Sequence, residues 1–375
     1  MGSTLRLVLP PFVAGKLVTL AVPMLTVWSH TDAPGHPAYA DLVSPFGAWD
    51  GESYRTIATQ GYPSGPLDLT PGHPGHLWAF LPGYPMLLRF AMFFIPDSTT
   101  AGIAVSAICE LVALVFLAKL VLQEQPGDTE SAQTAAWLLV LYPYAVFLTA
   151  VYTESPFLAA TTASLYYMRR GDDARAGVIG ALATAMRITG LALVPAMLLD
   201  HVLRRRKRVL GLGLPAALLP VVPLLLFVLY AKAQTGDAFA YWHVEQSASF
   251  NRFVAWPWQG AQATLSDALA GGFNSFVFGM EFLFGVLGLL AVVYLVRHRR
   301  EVALSLTAYA AAVWLLSISF VYWLSVPRYL MSMVPVYLAG ALFLKRRPAL
   351  RVPVFTVMGG WMAFVATLFA IRFVA

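Results

Sequence analysis

An all-α, polytopic integral membrane bundle is the fold class this sequence predicts, and three observations predict it. The first is composition: 59% of the 375 residues are hydrophobic and only 12% are charged, roughly half the charged fraction of a soluble domain. The second is pattern. Apolar stretches long enough to span a bilayer, about 18 residues or more, recur at Ala101–Leu122, Leu210–Tyr230, Phe276–Val296, Val302–Trp323 and Val352–Ile371. The third is placement of charge. Arg169-Arg170, Arg204 to Arg208, Arg297 to Arg300 and Lys345 to Arg347 each follow an apolar segment in a short loop, the arrangement that marks loops as cytoplasmic. In lipid every backbone polar group must pair internally, which favours helices; the period-two polarity of a barrel is absent.

Taken in order, helix one is expected over about residues 7–28. Arg6 and Lys16 precede or enter its apolar run and no small-residue cleavage site follows, so it reads as a retained helix. Helix one delivers a first outer loop, 29–79, in which Asp32, Asp41, Asp50, Glu52 and Asp68 face a single Arg55. Phe80–Ile95 is broken by Pro82, Pro85 and Arg89 and is expected to be partial or re-entrant. Two hairpins follow. Gln133–Met168 turns near Tyr152-Thr153-Glu154-Ser155, and the stretch between Arg170 and Arg204 turns near Arg187-Ile188-Thr189-Gly190. Both have inside-type charge at their ends and arms too short for a hydrocarbon layer about 30 Å thick, so their turns are expected below the outer surface, in protein or a watered cavity. A second outer loop, 232–275, carries several Trp and Tyr residues suited to a membrane interface. The count is about eleven or twelve hydrophobic helices in one transmembrane domain, 1–375.

Several function classes fall away. The basic clusters are spread over short loops with no soluble domain to present them, so no nucleic-acid partner is expected. Cys109 is the single cysteine, which removes an intramolecular disulfide, and its apolar surroundings do not support a thiol nucleophile or a Cys-rich metal site. His73 and His76 lie three apart without an identifiable third ligand. No Gly-rich loop ending in Lys-Ser/Thr is present to cradle a nucleotide.

The candidate site residues lie in the expected outer loops and hairpin tips. Asp50, in Phe46-Gly47-Ala48-Trp49-Asp50-Gly51-Glu52, is either a general base in a half-buried setting or the N-cap of an interfacial helix. Glu154 between two apolar arms is costly and so points to function; the alternative is a cap in a wet turn. Arg187 is a lone cation at a hairpin tip, too deep to snorkel to the cytoplasm. It faces either an anion such as phosphate, which its planar fork suits, or a structural partner, Glu154 or Glu110. Arg328 is either a second phosphate contact or an interfacial anchor. Lys232, His243 and Glu245 sit in the second outer loop, where solvated side chains are the ordinary outcome.

These residues stand in motifs. Trp49-Asp50 after helix one resembles the Trp-Asp loop of PIG-V-type GPI mannosyltransferases. Ala79-Phe80-Leu81-Pro82-Gly83-Tyr84-Pro85 is similar to that family's Ala-Phe-Phe-Pro-x-(Phe/Tyr)-Pro element. Tyr142-Pro143-Tyr144-Ala145-Val146-Phe147, followed by Tyr152-Thr153-Glu154, resembles its Asn-Pro-Ala-x-x-Phe…Tyr-Ser-Glu stretch. Met186-Arg187-Ile188-Thr189-Gly190 shares the Arg and Gly of its Arg-Ser-Asn-Gly element. The resemblance covers residues 45–200; Tyr142 in place of Asn and Ile188-Thr189 in place of Ser-Asn are departures that bear on the acceptor.

The resemblance implies a GT-C glycosyltransferase fold and an inverting transfer of mannose from a polyprenyl-phosphate donor, on the extracytoplasmic face, to a lipid, glycan or protein acceptor. In that scheme Asp50 is the catalytic base. Trp49, Glu52, Tyr84, Tyr152, Glu154, Arg187, Arg328 and His243 are substrate-binding residues, and no metal or other cofactor is required because arginine supplies the positive charge. The expected location is a bacterial plasma membrane, since arginine dominates the basic residues and Ala, Gly and Leu abound, or the endoplasmic reticulum in a eukaryote. The competing class is a transporter or flippase for a lipid-linked sugar or anionic solute, which would show inverted repeats; none is visible. A non-catalytic membrane subunit, tolerant of alanine at Asp50, Glu154 and Arg187, is a third class.

Overall fold

The computed structural model describes residues 2–30, 41–70, 72–204, 213–248, 250–272 and 274–372. Asp32 of the first loop and Arg205 to Arg208 of the second basic cluster lie outside them. Among the described residues the chain is helical, with no strand beyond one isolated bridge between Val254 and Phe320.

The helices are α1 Gly2–His30, α2 Asp50–Gln60, α3 Gly83–Met92, α4 Ser98–Glu124, α5 Thr129–Val140, α6 Glu154–Arg170, α7 Asp173–Met186, α8 Leu193–Arg204, α9 Gly213–Leu218, α10 Val222–Thr235, α11 Ala240–Glu245, α12 Pro257–Leu269, α13 Ser275–Arg297, α14 Leu304–Ile318, α15 Val326–Leu330, α16 Val334–Arg346 and α17 Arg351–Ala370. Local chemistry sets many of the boundaries. Asp97, Asp128 and Asp172 cap α4, α5 and α7 by accepting from the backbone N–H groups of Thr100, Ser131 and Arg175, each satisfying a donor the helix leaves orphaned. Gly171, in the left-handed region at φ 85°, closes α6.

Five helical stretches are long and apolar enough to cross a bilayer: Thr4–His30, Ser98–Glu124, Gly213–Thr235, Ser275–Arg297 and Pro348–Ala370. The remaining crossings expected from the sequence are shorter helices, α6 packed on α4 and on α7, α5 on α16, and α8 on α14. Phe80–Ile95 contains only the ten-residue α3, the partial helix its prolines predict. Val302–Trp323 is a correction: α14 stops at Ile318. Beyond it the Val321 N–H bonds the Phe253 carbonyl and the Trp323 N–H bonds Thr264 Oγ1, so the chain leaves the helix to pair with the loop between α11 and α12 and with α12 itself. The two long loops are themselves structured, the first by α2 and the second by α11 and α12, and α11 packs on the 3₁₀ turn Pro74–Ala79.

One end of the bundle gathers the charges. Arg169 bridges Glu124 and Asp200, Arg204 reaches Asp173 and Asp200, Lys345 pairs with Asp128, Arg346 with Glu301 and Arg351 with Glu130. Since α6 runs from Glu154 to this end, and α7 starts there and finishes at Met186, Glu154 and Arg187 are carried to the opposite end. The 17 residues of α6 and 14 of α7 rise only about 25 and 21 Å at 1.5 Å per residue. Their tips therefore stop short of a full bilayer's depth, as the hairpin parity predicted.

Inside the bundle Lys16 of α1 meets Glu110 of α4 at 2.5 Å, and its Nζ also donates to the Leu148 carbonyl at 2.7 Å and Thr149 Oγ1 at 2.9 Å. Lys16 lies within α1 and is buried. The last two contacts pin the irregular segment that leads into Glu154.

Candidate active site

Four elements distant in sequence deliver four charged side chains to one place. Asp50 is the first residue of α2, and Glu154 the first of α6. Arg187 follows the last residue of α7 in extended backbone, φ −150° and ψ 138°, and Arg328 lies in the short α15. Arg187 Nη1 donates to Glu154 Oε1 at 2.5 Å. Arg328 Nη2 donates to Asp50 Oδ2 at 3.0 Å, and its Nε stands 3.2 Å from Glu154 Oε1. Arg328 thus bridges the two carboxylates. Glu154 Oε2 and Arg328 Nη1 are buried with no hydrogen-bond partner, so the cluster retains an unspent acceptor and an unspent donor, each costly to leave so.

Aromatic rings hold the guanidiniums in place. Arg328 lies over Phe147 and Tyr152, 5.1 and 5.3 Å from their centroids. Arg187 lies 4.7 Å from the centre of Tyr329, contacts suited to cation–π attraction. The Tyr152 hydroxyl donates to the Ala48 carbonyl at 3.2 Å, fastening the turn before Asp50. That turn is unusual: Trp49 has φ 58°, a region that costs non-glycine residues about 1–3 kcal/mol, and its indole remains 45% exposed at the rim beside Asp50.

The placement of Arg328 depends on two residues that hold α15. Glu281 of α13 accepts from the backbone N–H groups of Ser325 and Val326 at 2.8 and 2.7 Å, where Ser325 turns at φ 64°. The Tyr142 hydroxyl donates to the Pro327 carbonyl at 2.7 Å. Arg187 is seated differently. A Cβ at Gly83 would lie 2.6 Å from the Ala185 carbonyl, so only glycine there lets α3 approach the end of α7 this closely.

The second loop contributes Arg252, which the sequence did not single out. Arg252 Nη1 donates to the Tyr329 hydroxyl at 3.1 Å and lies 3.5 Å from Glu245 Oε2. Three guanidiniums, of Arg187, Arg252 and Arg328, thus surround Tyr329 within 6 Å of its ring. Glu245 is buried beside Tyr241, and burial pushes its carboxyl above the ordinary value. The solvated-loop expectation fails for Glu245 and holds for His243, which is exposed and pairs with Asp237 at 2.5 Å. Two residues apart on a helix, their side chains point to nearly opposite faces. His243 is therefore not brought to the cluster.

The same geometry separates Glu52 from Asp50. Two positions further along α2, Glu52 is exposed and faces a polar cleft on the other side of the helix. Tyr84 is fully buried and meets Tyr54 edge to face at 5.0 Å, beneath α2. It supports the site from below. Glu110 is taken by Lys16, which leaves Glu154 as the partner of Arg187. His73 and His76 serve their own turn, His73 accepting from the Gly75 N–H. The signal that could have found Arg252 and Tyr329 was available in part: Tyr329 adjoins Arg328, and Arg252 is a lone cation among aromatics.

Beside the cluster an apolar groove of 410 Å³ runs between α2, α3 and α10, lined by Ile57, Pro82, Pro85, Met86, Leu226 and Tyr230 among others. Met86, Leu226 and Tyr230 are exposed, so the groove opens on the flank of the bundle. Its wall at Pro82 adjoins Gly83, and hence Ala185, two residues before Arg187.

Comparison with known proteins supports the motif resemblance over the stretch that carried it. Residues 42–209 match the family model described as Mannosyltransferase (PIG-V). The chain is 29% identical over 168 residues to GPI alpha-1,6-mannosyltransferase 2 of Cricetulus griseus and 30% identical over 170 residues to that of Rattus norvegicus, in each case over 42% of this chain. It is 34% identical over 116 residues, 31% of this chain, to GPI mannosyltransferase 2 of Yarrowia lipolytica. The matches span 32% of each relative's length, about a third. Two solved structures of the Archaeoglobus fulgidus oligosaccharyltransferase are similar at 13% identity. One is in complex with an inhibitory peptide and a dolichol-phosphate, with a TM-score of 0.48; the other is tethered to an acceptor peptide, with a TM-score of 0.49. Each is covered over 55% of its length by 97% of this chain.

Proposed function

We propose that this chain, with its PIG-V-like segment over residues 42–209, is an inverting GT-C mannosyltransferase that moves mannose from a polyprenyl-phosphate donor to an acceptor hydroxyl on the extracytoplasmic face. The observation that carries the reading is the convergence of Asp50, Glu154, Arg187 and Arg328 at the end of the bundle away from the basic clusters. Clusters of Lys and Arg in short loops mark the cytoplasmic side, so the site lies on the other.

The chemistry follows from the groups. The Asp50 carboxylate takes the proton of the acceptor hydroxyl as its oxygen attacks the anomeric carbon of the sugar. The bond from that carbon to the phosphate oxygen breaks, and the lipid phosphate departs with the electron pair, gaining one negative charge. Arg187 and Arg328 meet that growing charge with fixed donors in a setting poor in water, where such donors are most effective. A phosphate leaving group needs no protonation, so one base suffices, and the scheme calls for no metal ion. Glu154 holds both guanidiniums apart and aimed. The groove between α2, α3 and α10 suits the isoprenoid chain, because it is apolar, opens on the flank of the bundle and ends beside the Ala185–Arg187 turn.

The test is transfer from labelled polyprenyl-phosphate mannose by the purified protein, with Asp50→Asn as the comparison. Transfer by the wild type and none by a correctly folded variant is the expected result; equal transfer by both removes Asp50 from the chemistry.

A further inference from the structure

The second loop is stapled to the segment that joins α14 to α15. The Ala255 N–H donates to the Ser319 carbonyl at 3.1 Å, the Val321 N–H to the Phe253 carbonyl at 3.0 Å, and the Tyr322 hydroxyl to the Phe250 carbonyl at 2.8 Å. Arg252 belongs to this seam. Its guanidinium lies 4.5 Å from the centre of the Phe320 ring, and its Nη1 donates to the Tyr329 hydroxyl at 3.1 Å. The backbone before it is turned for the purpose: Asn251 has φ 51°, a left-handed conformation that asparagine accepts more readily than most residues. The Arg252 N–H then donates to the Glu245 carbonyl at 2.7 Å, while the Glu245 carboxylate stands 3.5 Å from Arg252 Nη1. Glu245 thus holds Arg252 twice.

Stability alone does not account for this pair. Both side chains are mostly buried, and taking such a pair out of water costs about as much as its attraction returns. A third cation beside a ring that already seats Arg187 and Arg328 adds repulsion as well. What the pair supplies is direction. Tyr329 follows Arg328 in α15, and its ring is the surface that Arg328 shares with Arg187 from the end of α7. A tyrosine held only by its ring can move between rotamers, whereas a hydroxyl caught by a planar, preorganised guanidinium is fixed. We infer that Arg252 is a positioning residue: by holding the Tyr329 hydroxyl it fixes the ring against which Arg187 and Arg328 lie, and so sets the spacing of these two guanidiniums for an anionic group of the substrate. The inference rests on the transferase reading for the identity of that anion, the phosphate of a lipid-linked donor. It gives a part in the site to the second loop, which lies outside the matched stretch 42–209.

The experiment is a double-mutant cycle on the full chain in detergent, read by calorimetric binding of farnesyl phosphate, with farnesol as the probe that lacks the phosphate. Tyr329→Phe keeps the ring and removes only the hydroxyl; Tyr329 is half-buried, so this variant does not threaten the fold. Arg252→Gln removes the charge and the fork, and Arg252→Lys keeps the charge alone. Tyr329→Phe and Arg252→Gln are each expected to weaken farnesyl phosphate binding about tenfold, the loss that goes with one charge-assisted hydrogen bond. Because both act through the same contact, the double variant is expected to lose about tenfold and not about a hundredfold. Arg252→Lys should fall between the wild type and Arg252→Gln, and farnesol binding should not follow the series. Additive losses, a loss in Arg252→Gln with none in Tyr329→Phe, or equal weakening for farnesol would overturn the inference and leave the transferase reading in place. Coupled losses in a wild type that transfers no mannose uphold the positioning role and remove the transferase reading instead; a wild type that does not bind farnesyl phosphate removes both.

Discussion

Arg328 Nη2 and Asp50 Oδ2, 278 residues apart in the chain, meet at 3.0 Å, while the same guanidinium places its Nε 3.2 Å from Glu154 Oε1. One side chain thus ties the start of α2 to the start of α6 and orients the carboxylate assigned as the base.

Asp50→Asn keeps the shape and a hydrogen-bond acceptor for Arg328 but cannot take a proton. General-base removal costs about 10²- to 10⁴-fold in rate. The expected outcome is a fall in kcat of that size, with an unchanged elution profile on size exclusion and an unchanged melting temperature.

Glu154 has a different burden, since both Arg187 and Arg328 lean on it. Its side chain is 2% exposed. Glu154→Ala leaves two buried guanidiniums without that carboxylate, and breaking a buried pair costs about 3–5 kcal/mol. The variant should unfold at a clearly lower temperature in detergent, whereas Glu154→Gln should lose less stability while still losing transfer.

Tyr142 stands where the resembling family has Asn, and its hydroxyl holds the Pro327 carbonyl beside Arg328. Tyr142→Phe deletes that bond and leaves a buried carbonyl unsatisfied, at about 1–3 kcal/mol. If α15 depends on it, kcat falls while the acceptor KM stays constant; a change confined to KM would place Tyr142 in acceptor binding instead.

The Lys16–Glu110 pair supports the segment before Glu154 through the Leu148 and Thr149 contacts. Lys16→Met alone strands a buried carboxylate, and a loss of about 3–5 kcal/mol is expected. The double variant Lys16→Met, Glu110→Leu should be more stable than that single one in thermal unfolding, because the uncompensated charge is gone.

Much of this was legible in the sequence. Hydropathy gave the helical bundle, because the bilayer sets it without tertiary contacts, and the basic clusters do gather at one end of it. Glu154 and Arg187 were legible for the same reason: a charge between short apolar arms demands a partner, and the two arms brought them within reach of each other. The pairing of Arg328 with Asp50 was not, since nothing local fixes the fold-back of α15 onto α2. Arg252 was missed, and Glu245 was read as a solvated side chain, because a loop of mixed polarity looks solvated until α11 is seen packing on Pro74–Ala79. The early end of α14 was missed because Ser319 to Ser325 is apolar enough to continue the helix, and only pairing with the 253–255 segment and with Thr264 draws it out. Glu52 and His243 lie off the charged cluster, because two positions along a helix swing a side chain about half a turn to the far face.

The most direct test of the account is a structure of the protein with a polyprenyl phosphate bound. The phosphate is expected within about 3 Å of the Arg187 and Arg328 nitrogens, the length of a charge-assisted hydrogen bond, with the isoprenoid lying along Pro82, Pro85 and Leu226. A phosphate held at the opposite end, beside Arg169, Arg204 or Arg297, would contradict it.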